Sequence, residues 1–294
     1  MTMKKKVSVF ILFGQSNAVG HGVPMLREDK IVEPLKNVFG LHRIKNQSFD
    51  NQELFWSGYT SSGMNLAEEQ DDTYSVANCL ARYWQNEIDE GRNLPDLYIV
   101  HIAIGSQGIS RGMMWNPDYE KSLIPGKWGI VKISLYPYAL HILSLLQKSF
   151  DGLEVEPDYV GLHWRGGEED WGCCYEYLEN TLHDLYEKMF EDFYVAIGQK
   201  VPVVLHRFVA KDYLLENDLT GELLQNARYI NGVFEKMEKN HFNISIFDVR
   251  EAPFYIEDVR GNGIFIEDAV HFTPNTNKWV AKEILEEYIE RIQQ

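Results

Sequence analysis

The stretch Val7 to Gly22, VSVFILFGQSNAVGHG, decides the fold. Its first half is apolar, and an apolar run that ends at Gly14 is typical of a buried strand in a parallel sheet. The residues that follow are small and polar, which predicts a tight turn that opens a helix. Ser16 stands at this junction, at the carboxyl end of the strand, where open α/β folds bind their ligands. Its hydroxyl is therefore expected at a helix N-terminus, where backbone N–H groups attract negative charge.

Length and charge narrow the range of functions. The 294 residues suffice for one α/β domain, and we expect a single domain over 1–294 with loop excursions near 23–70 and 111–129. The 28 basic and 44 acidic residues give a net charge of -16, which argues against nucleic acid or an anionic membrane as the partner. A neutral or weakly charged substrate fits this charge better. No apolar stretch approaches the roughly 20 residues that a membrane span requires.

The N-terminal residues resemble a signal peptide, because three lysines precede an apolar run. That run leads directly into the serine turn without a cleavage site, and cleavage there would destroy the first strand. We therefore expect a cytoplasmic location for the chain as given, with a secreted or periplasmic one open if a leader was removed. The three cysteines lack the spacing of a disulfide framework or a metal site and are expected to be buried thiols; they are Cys79, Cys173 and Cys174.

Four later apolar runs predict further strands, and amphipathic helical patterns separate them. The predicted strands are 97–104, 159–163, 201–205 and 244–249, and the predicted helices are 74–90, 131–149, 175–194, 220–240 and a last helix that ends at 292. This alternation favours an α/β fold around a parallel sheet. Asp72 and Thr73 offer an N-cap for the first of these helices, and Thr273 with Pro274 opens the last one.

A second polar block, Asp268-Ala269-Val270-His271, directly precedes the last helix. An aspartate three residues before a histidine can fold back within a turn, so that its carboxylate meets one imidazole nitrogen. The other nitrogen is then left for a nucleophile, as a catalytic base requires. The helix start at Thr273 would hold this turn in place.

The block Gly14-Gln15-Ser16-Asn17 resembles the nucleophile block of the SGNH-type hydrolases. Three later blocks occur in the order of that family: the turn Gly105-Ser106-Gln107-Gly108-Ile109-Ser110, the segment Trp164-Arg165-Gly166-Gly167-Glu168-Glu169-Asp170, and Asp268 with His271. Together they span nearly the whole chain. Within the family the chain is most similar to the sialate O-acetylesterase and acetylxylan esterase branch, carbohydrate esterase family six.

This resemblance implies both a fold and a mechanism. The implied fold is a flavodoxin-like three-layer α/β/α sandwich with a mainly parallel sheet of about five strands and the site at its carboxyl edge. The implied nucleophile is Ser16, with His271 as base and Asp268 as the carboxylate that orients it. The N–H groups of Ser16 and Gly105 would form the oxyanion hole, and the chemistry needs no metal or cofactor.

The third block departs from the family pattern at Gly166, where the family has a glutamine whose side chain is taken to donate to the oxyanion. Glycine offers no such donor, and the loss of one oxyanion donor costs on the order of a hundredfold to a thousandfold in rate. Either Arg165, His163 or a neighbouring residue replaces it, or turnover is reduced, or the natural reaction differs. The other candidate supporting residues are Gln15, Asn17 and Glu168.

The two loop excursions carry aromatic residues that suit a wall for a sugar ring. Trp56 and Trp115 are the candidates, although aromatic side chains equally serve to anchor a loop to the body of a domain. The expected activity is the removal of O-acetyl groups from acetylated xylan or sialic acid. Two alternatives stay open: a catalytically weak carbohydrate-binding relative, which Gly166 would mark, and an esterase for small non-carbohydrate esters.

Overall fold

The computed structural model describes residues 4–42, 54–68, 71–118, 123–126, 129–132, 134–170, 179–207, 222–256, 263–268 and 270–293. Its main sheet contains seven strands: β1 (Lys5–Gly14), β2 (Val38–Leu41), β3 (Trp56–Gly58), β4 (Leu97–Ala103), β7 (Val155–Arg165), β8 (Val203–His206) and β9 (Ile244–Phe247). The two intervening strands, β5 (Leu123–Gly126) and β6 (Gly129–Lys132), form a separate antiparallel pair.

The strand order of the main sheet is β3-β2-β4-β1-β7-β8-β9. The strand β1 lies at the centre and pairs in parallel with β4 and β7, and every other neighbouring pair is parallel except β2 with β3. The predicted α/β fold with a mainly parallel sheet is confirmed. The expectation of about five strands was too low, because β2 and β3 arise from the segment 23–70 that we predicted to be loop. With four and three residues, these strands are too short for a periodic pattern.

Helices cover both faces of the sheet, which gives the three layers. The described helices are α1 (Ser16–Val19), α2 (Val76–Asp89), α3 (Leu135–Gly152), α4 (Glu179–Ile197), α5 (Glu222–Asn240) and α6 (Pro274–Gln293). One apolar core lies between the sheet and the pair α2 and α6, and a second lies between the sheet and α3, α4 and α5. None of the helices described here is long and apolar enough to cross a bilayer.

The central strand β1 is buried on both faces, which explains its continuous apolar sequence. Phe10 and Leu12 face α2 and α6 and are fully buried. Ser8 is the polar interruption in this run, and its hydroxyl lies 2.6 Å from the hydroxyl of Tyr288 on α6. The side chains on the opposite face, packed toward α3, α4 and α5, are Val7, Val9, Ile11 and Phe13.

The N-cap of α2 is Ser75, so the predicted cap at Asp72 and Thr73 was wrong by two residues. The hydroxyl of Ser75 accepts the N–H of Asn78 at 3.1 Å. Thr73 uses its hydroxyl differently, because it donates to the carbonyl of Val19 at 2.5 Å and so joins this loop to α1. The Thr73 hydroxyl, which the sequence predicts to cap α2, therefore makes a tertiary contact with α1 instead.

Two expectations about thiols have different outcomes. Cys79 on α2 is buried as predicted, and burial raises the pKa of its thiol to about 12. Cys173 and Cys174 lie outside the described residues.

His101 on β4 carries a structural contact beneath α1. The imidazole is buried, and its Nε2 lies 3.0 Å from the carbonyl oxygen of Ala18. Burial lowers the pKa of His101 to about 4, against a weaker opposing effect of this hydrogen bond and of Glu68. The folded protein therefore holds a neutral imidazole here at neutral pH.

This neutral histidine should make stability depend on pH. In the unfolded chain His101 binds a proton below about pH 6.5, but in the folded protein only below about pH 4. Folding therefore loses stability as pH falls between these values, by up to ~1.4 kcal/mol per pH unit. The variant His101→Asn cannot titrate, so its free energy of unfolding should approach or exceed that of the wild type between pH 7 and pH 4.5. Urea denaturation measures this difference, and a difference that stays constant would show that His101 is not held neutral.

Candidate active site

The nucleophile turn depends on a close approach between β1 and β7. Gly14 has a φ of 146°, and a Cβ on it would lie 2.0 Å from the carbonyl oxygen of Arg165, so no other residue fits there. The next N–H, that of Gln15, donates to the same oxygen at 3.0 Å. Ser16 is the first residue of the single-turn helix α1, so its N–H has no acceptor within the helix. The chain thus places Ser16 where β1 ends, at the carboxyl edge of the sheet.

The aspartate and the histidine of the last block are in direct contact. Asp268 Oδ2 lies 2.6 Å from His271 Nδ1, and Asp268 Oδ1 accepts the backbone N–H groups of Val270 at 2.9 Å and His271 at 2.8 Å. Partial burial raises the pKa of Asp268, but these three contacts outweigh it and hold the pKa below its usual value. An ionised Asp268 accepts a hydrogen bond from Nδ1–H, so the proton stays on Nδ1 and Nε2 is left as the nitrogen that can act as a base.

The turn that carries His271 is fixed at its far end by the start of α6. The hydroxyl of Thr273 accepts the N–H of Thr276 at 3.2 Å, and Pro274 is the first residue of the helix. The predicted cap is therefore confirmed. It places His271 two residues before a rigid element, which limits its freedom to move.

Asn17 joins the block of Ser16 to the block of Asp268 and His271. Its side-chain Nδ2 donates to the carbonyl of Val270 at 3.1 Å, and its Oδ1 accepts the N–H of Phe272 at 3.2 Å. These are the two residues that flank His271. The side chain next to Ser16 in sequence therefore holds the backbone on both sides of His271, which brings the predicted nucleophile and base to the same place.

Glu168 supports this arrangement from the third block. It accepts the second Nδ2 hydrogen of Asn17 at 2.6 Å. Burial raises the pKa of Glu168, and the bond to Asn17 and the charges of Arg165 and His271 oppose that rise. Glu168 thus contacts Asn17 and acts on His271 through space, whereas Asp268 contacts the imidazole directly.

Arg165 lies beneath the site and not in it. Its guanidinium is 1% exposed, donates through Nη1 to the carbonyl of Asn17 at 3.1 Å and to Asn277 Oδ1 at 2.8 Å, and stacks 4.6 Å above the ring of Phe272. From this position it supports the nucleophile turn. It does not supply the donor that Gly166 lacks.

The other candidate for that donor, His163, is also buried. Its Nδ1 lies 3.0 Å from His206 Nε2, inside the sheet layer. At Gly166 a Cβ would lie 3.1 Å from the indole of Trp164, so a larger residue would need this ring to shift. Gln15 is buried as well, and its Oε1 accepts the N–H of Glu169 at 3.4 Å, which links the first block to the third.

The sequence analysis missed Asp170, which ties the second block to the third. Its buried carboxylate accepts the N–H groups of Ile109 at 2.9 Å and Ser110 at 2.8 Å, and a Cβ on Gly108 would lie 2.2 Å from it. Burial raises the pKa of Asp170, and these bonds oppose the rise. The place of Asp170 at the end of the third block was the indication in the sequence, but no role was assigned to it there.

The sequence did not indicate roles for His21 and Glu68, and Glu68 contacts an amide of the expected oxyanion hole. Glu68 Oε2 accepts the N–H of Gly105 at 2.7 Å, and Oε1 lies 2.9 Å from His21 Nε2. The His21 ring lies 5.7 Å from that of His271, and a Cβ on Gly105 would lie 2.6 Å from His21 Cε1. The amide predicted to bind an oxyanion is therefore engaged by a carboxylate in this structure.

Neither tryptophan forms a wall of the site. Trp115 has no exposed surface, and its indole N–H donates to the carbonyl of Gly14 at 3.0 Å, so it supports the nucleophile turn from within the core. Trp56 lies on the edge strand β3, donates to the hydroxyl of Ser149 at 2.8 Å and stacks on Phe150. Both side chains anchor their segments to the body, which corrects the expectation that they face a sugar.

Comparison with solved structures extends these observations to the fold as a whole. The fold of this chain resembles that of NanS. The two share 15% sequence identity with a TM-score of 0.64, and the match covers 99% of each chain. A protein from Arabidopsis thaliana is similar at 13% identity and a TM-score of 0.58, over 96% of this chain and 98% of that one. No protein-family model and no curated sequence matches the chain, so these similarities establish the fold alone.

The role of Asn17 can be tested by removing its side chain. We expect Asn17→Ala to lower kcat by about tenfold to a hundredfold, because misplacement of a catalytic group by about 1 Å costs up to a hundredfold. The matched control is Asn37→Ala, which removes a similar bond from Nδ2 to Asp96 at the opposite edge of the sheet. Steady-state kinetics with 4-nitrophenyl acetate compares the two. Equal effects of both variants would argue that Asn17 contributes stability only.

Proposed function

We propose that this chain is a serine esterase that removes O-acetyl groups from carbohydrate, of the acetylated xylan or sialic acid type. The observation that carries the proposal is the set of hydrogen bonds from Asn17 to the residues on both sides of His271. It joins the Ser16 turn to a histidine that is oriented by Asp268. The order of the sequence blocks and the fold shared with NanS support the same conclusion.

The geometry favours acyl transfer in two steps. Ser16 Oγ attacks the acetyl carbonyl carbon while His271 Nε2 takes its proton, and the imidazolium is stabilised by Asp268. The tetrahedral intermediate then expels the sugar oxygen, which receives the proton from His271. Water attacks the acetyl-serine with His271 again as base, and acetate leaves as Ser16 recovers its proton.

Negative charge develops on the carbonyl oxygen in both steps, and backbone N–H groups are the donors that would stabilise it. Ser16 N–H stands at the start of α1 and Gly105 N–H follows β4. Because Glu68 accepts the Gly105 N–H in this structure, the substrate carbonyl must displace that carboxylate to use the second donor. With Gly166 in place of the family glutamine, these two amides are the donors we assign.

The first experiment is acetate release from acetylated xylan, O-acetylated sialic acid and 4-nitrophenyl acetate, with wild type and Ser16→Ala side by side. We expect the variant to lose activity by about a thousandfold or more. Ser144→Ala, an exposed serine on α3, is the control and should retain full activity. Binding of the acetylated sugar without acetate release by the wild type would favour a carbohydrate-binding relative instead. Hydrolysis of 4-nitrophenyl acetate alone would favour small non-carbohydrate esters.

The two carboxylates near His271 should differ in their effects. We expect Asp268→Asn to lower kcat by about a hundredfold or more, because an amide at this position no longer holds the imidazole in the correct tautomer. Glu168→Gln should cost less, since Glu168 contacts Asn17 and not the imidazole. Kinetics of the two variants at the same pH ranks them. The reverse order would assign the orienting role to Glu168.

A further inference from the structure

The strongest unexplained feature of the site is the carboxylate of Glu68. It bridges the N–H of Gly105 and the imidazole of His21, and His21 in turn lies against His271. We propose that Glu68 is a specificity-determining residue that selects against esters carrying a negative charge close to the acyl group. This inference rests on the proposed esterase function and narrows its substrates to neutral esters.

The position of Glu68 gives it a direct effect on the substrate. The acyl carbonyl must approach Gly105 N–H, so the substrate arrives within a few ångströms of the Glu68 carboxylate. His21 contacts the other carboxylate oxygen, Oε1, so a carbonyl that takes the Gly105 N–H from Oε2 does not compete for this second contact. The carboxylate therefore stays beside the bound ester. The carboxylate repels a substrate whose own negative charge lies about 6 Å from it. At an intermediate dielectric this repulsion lowers the binding of that substrate roughly tenfold.

The neighbouring charges reinforce this selection. Asp268 adds a second carboxylate on the His271 side. Arg165, the cation beneath the site, is buried and stacked on Phe272, so it presents no surface to a substrate. At the carboxyl ends of β8 and β9, Arg207 and Arg250 are both paired with Asp248.

The test uses two substrates that differ in charge alone: O-acetylated N-acetylneuraminic acid and its methyl ester. We expect kcat/KM for the neutral methyl ester to exceed that for the anion by about tenfold at low salt. In Glu68→Gln this preference should fall at least threefold, and 0.5 M salt should weaken it in the wild type. Hydrolysis of 4-nitrophenyl acetate by each variant reports whether the site is intact.

The matched control is Glu156→Gln, which removes the same charge from an exposed position near the amino end of β7. Nine residues of strand separate it from Arg165 at the site, which is roughly 30 Å. This variant should keep the wild-type preference. It separates the local effect of Glu68 from the effect of net charge.

Each other outcome overturns the inference in a distinct way. Equal rates with both substrates, or a preference that Glu68→Gln leaves unchanged, would exclude Glu68 as the selecting group and leave the esterase proposal intact. A preference for the anion that is lost in Arg111→Gln would assign selection to that exposed arginine on the turn after β4. If the wild type does not hydrolyse 4-nitrophenyl acetate, the esterase proposal and this inference both fail.

Discussion

The arrangement of the candidate active site depends on the three hydrogen bonds of the Asn17 side chain. They reach Val270, Phe272 and Glu168, which lie 253, 255 and 151 residues away in sequence. A short, buried side chain next to Ser16 thus sets the position of three blocks at once. Each bond leaves a buried or half-buried partner without its hydrogen bond if it breaks, so separating the blocks costs free energy.

The fold was largely predictable because its physical cause is local. The apolar run of β1 requires burial on both faces, and this is enough to indicate a central strand with helices on either side. The short strands β2 and β3 were not predictable, since they owe their structure to pairing with β4 and with each other. The same holds for the cap of α2, where Thr73 is used by α1 instead.

The candidate site was predictable where spacing alone fixes the contact. Asp268 and His271 meet within one turn, so their sequence separation determines the geometry. Glu68 and Asp170 meet their partners only through the fold, at separations of 37 and 61 residues. No pattern marks Glu68, and the third block marks Asp170 without indicating its partners. Trp115 was misassigned because an aromatic residue in a polar segment is equally suited to a surface and to a core.

The central place of β1 in the sheet has a consequence for the order in which the protein is made. This strand is synthesised before its partners β4 and β7, which follow about 90 and 150 residues later. A nascent chain therefore carries an unpaired apolar strand for much of its synthesis, and such strands favour aggregation and slow folding. The Asn17 side chain can bind Val270 and Phe272 only later still, once the turn before α6 has left the ribosome. The candidate site is thus among the last of the described parts to assemble, because two of its blocks lie at opposite ends of the printed sequence.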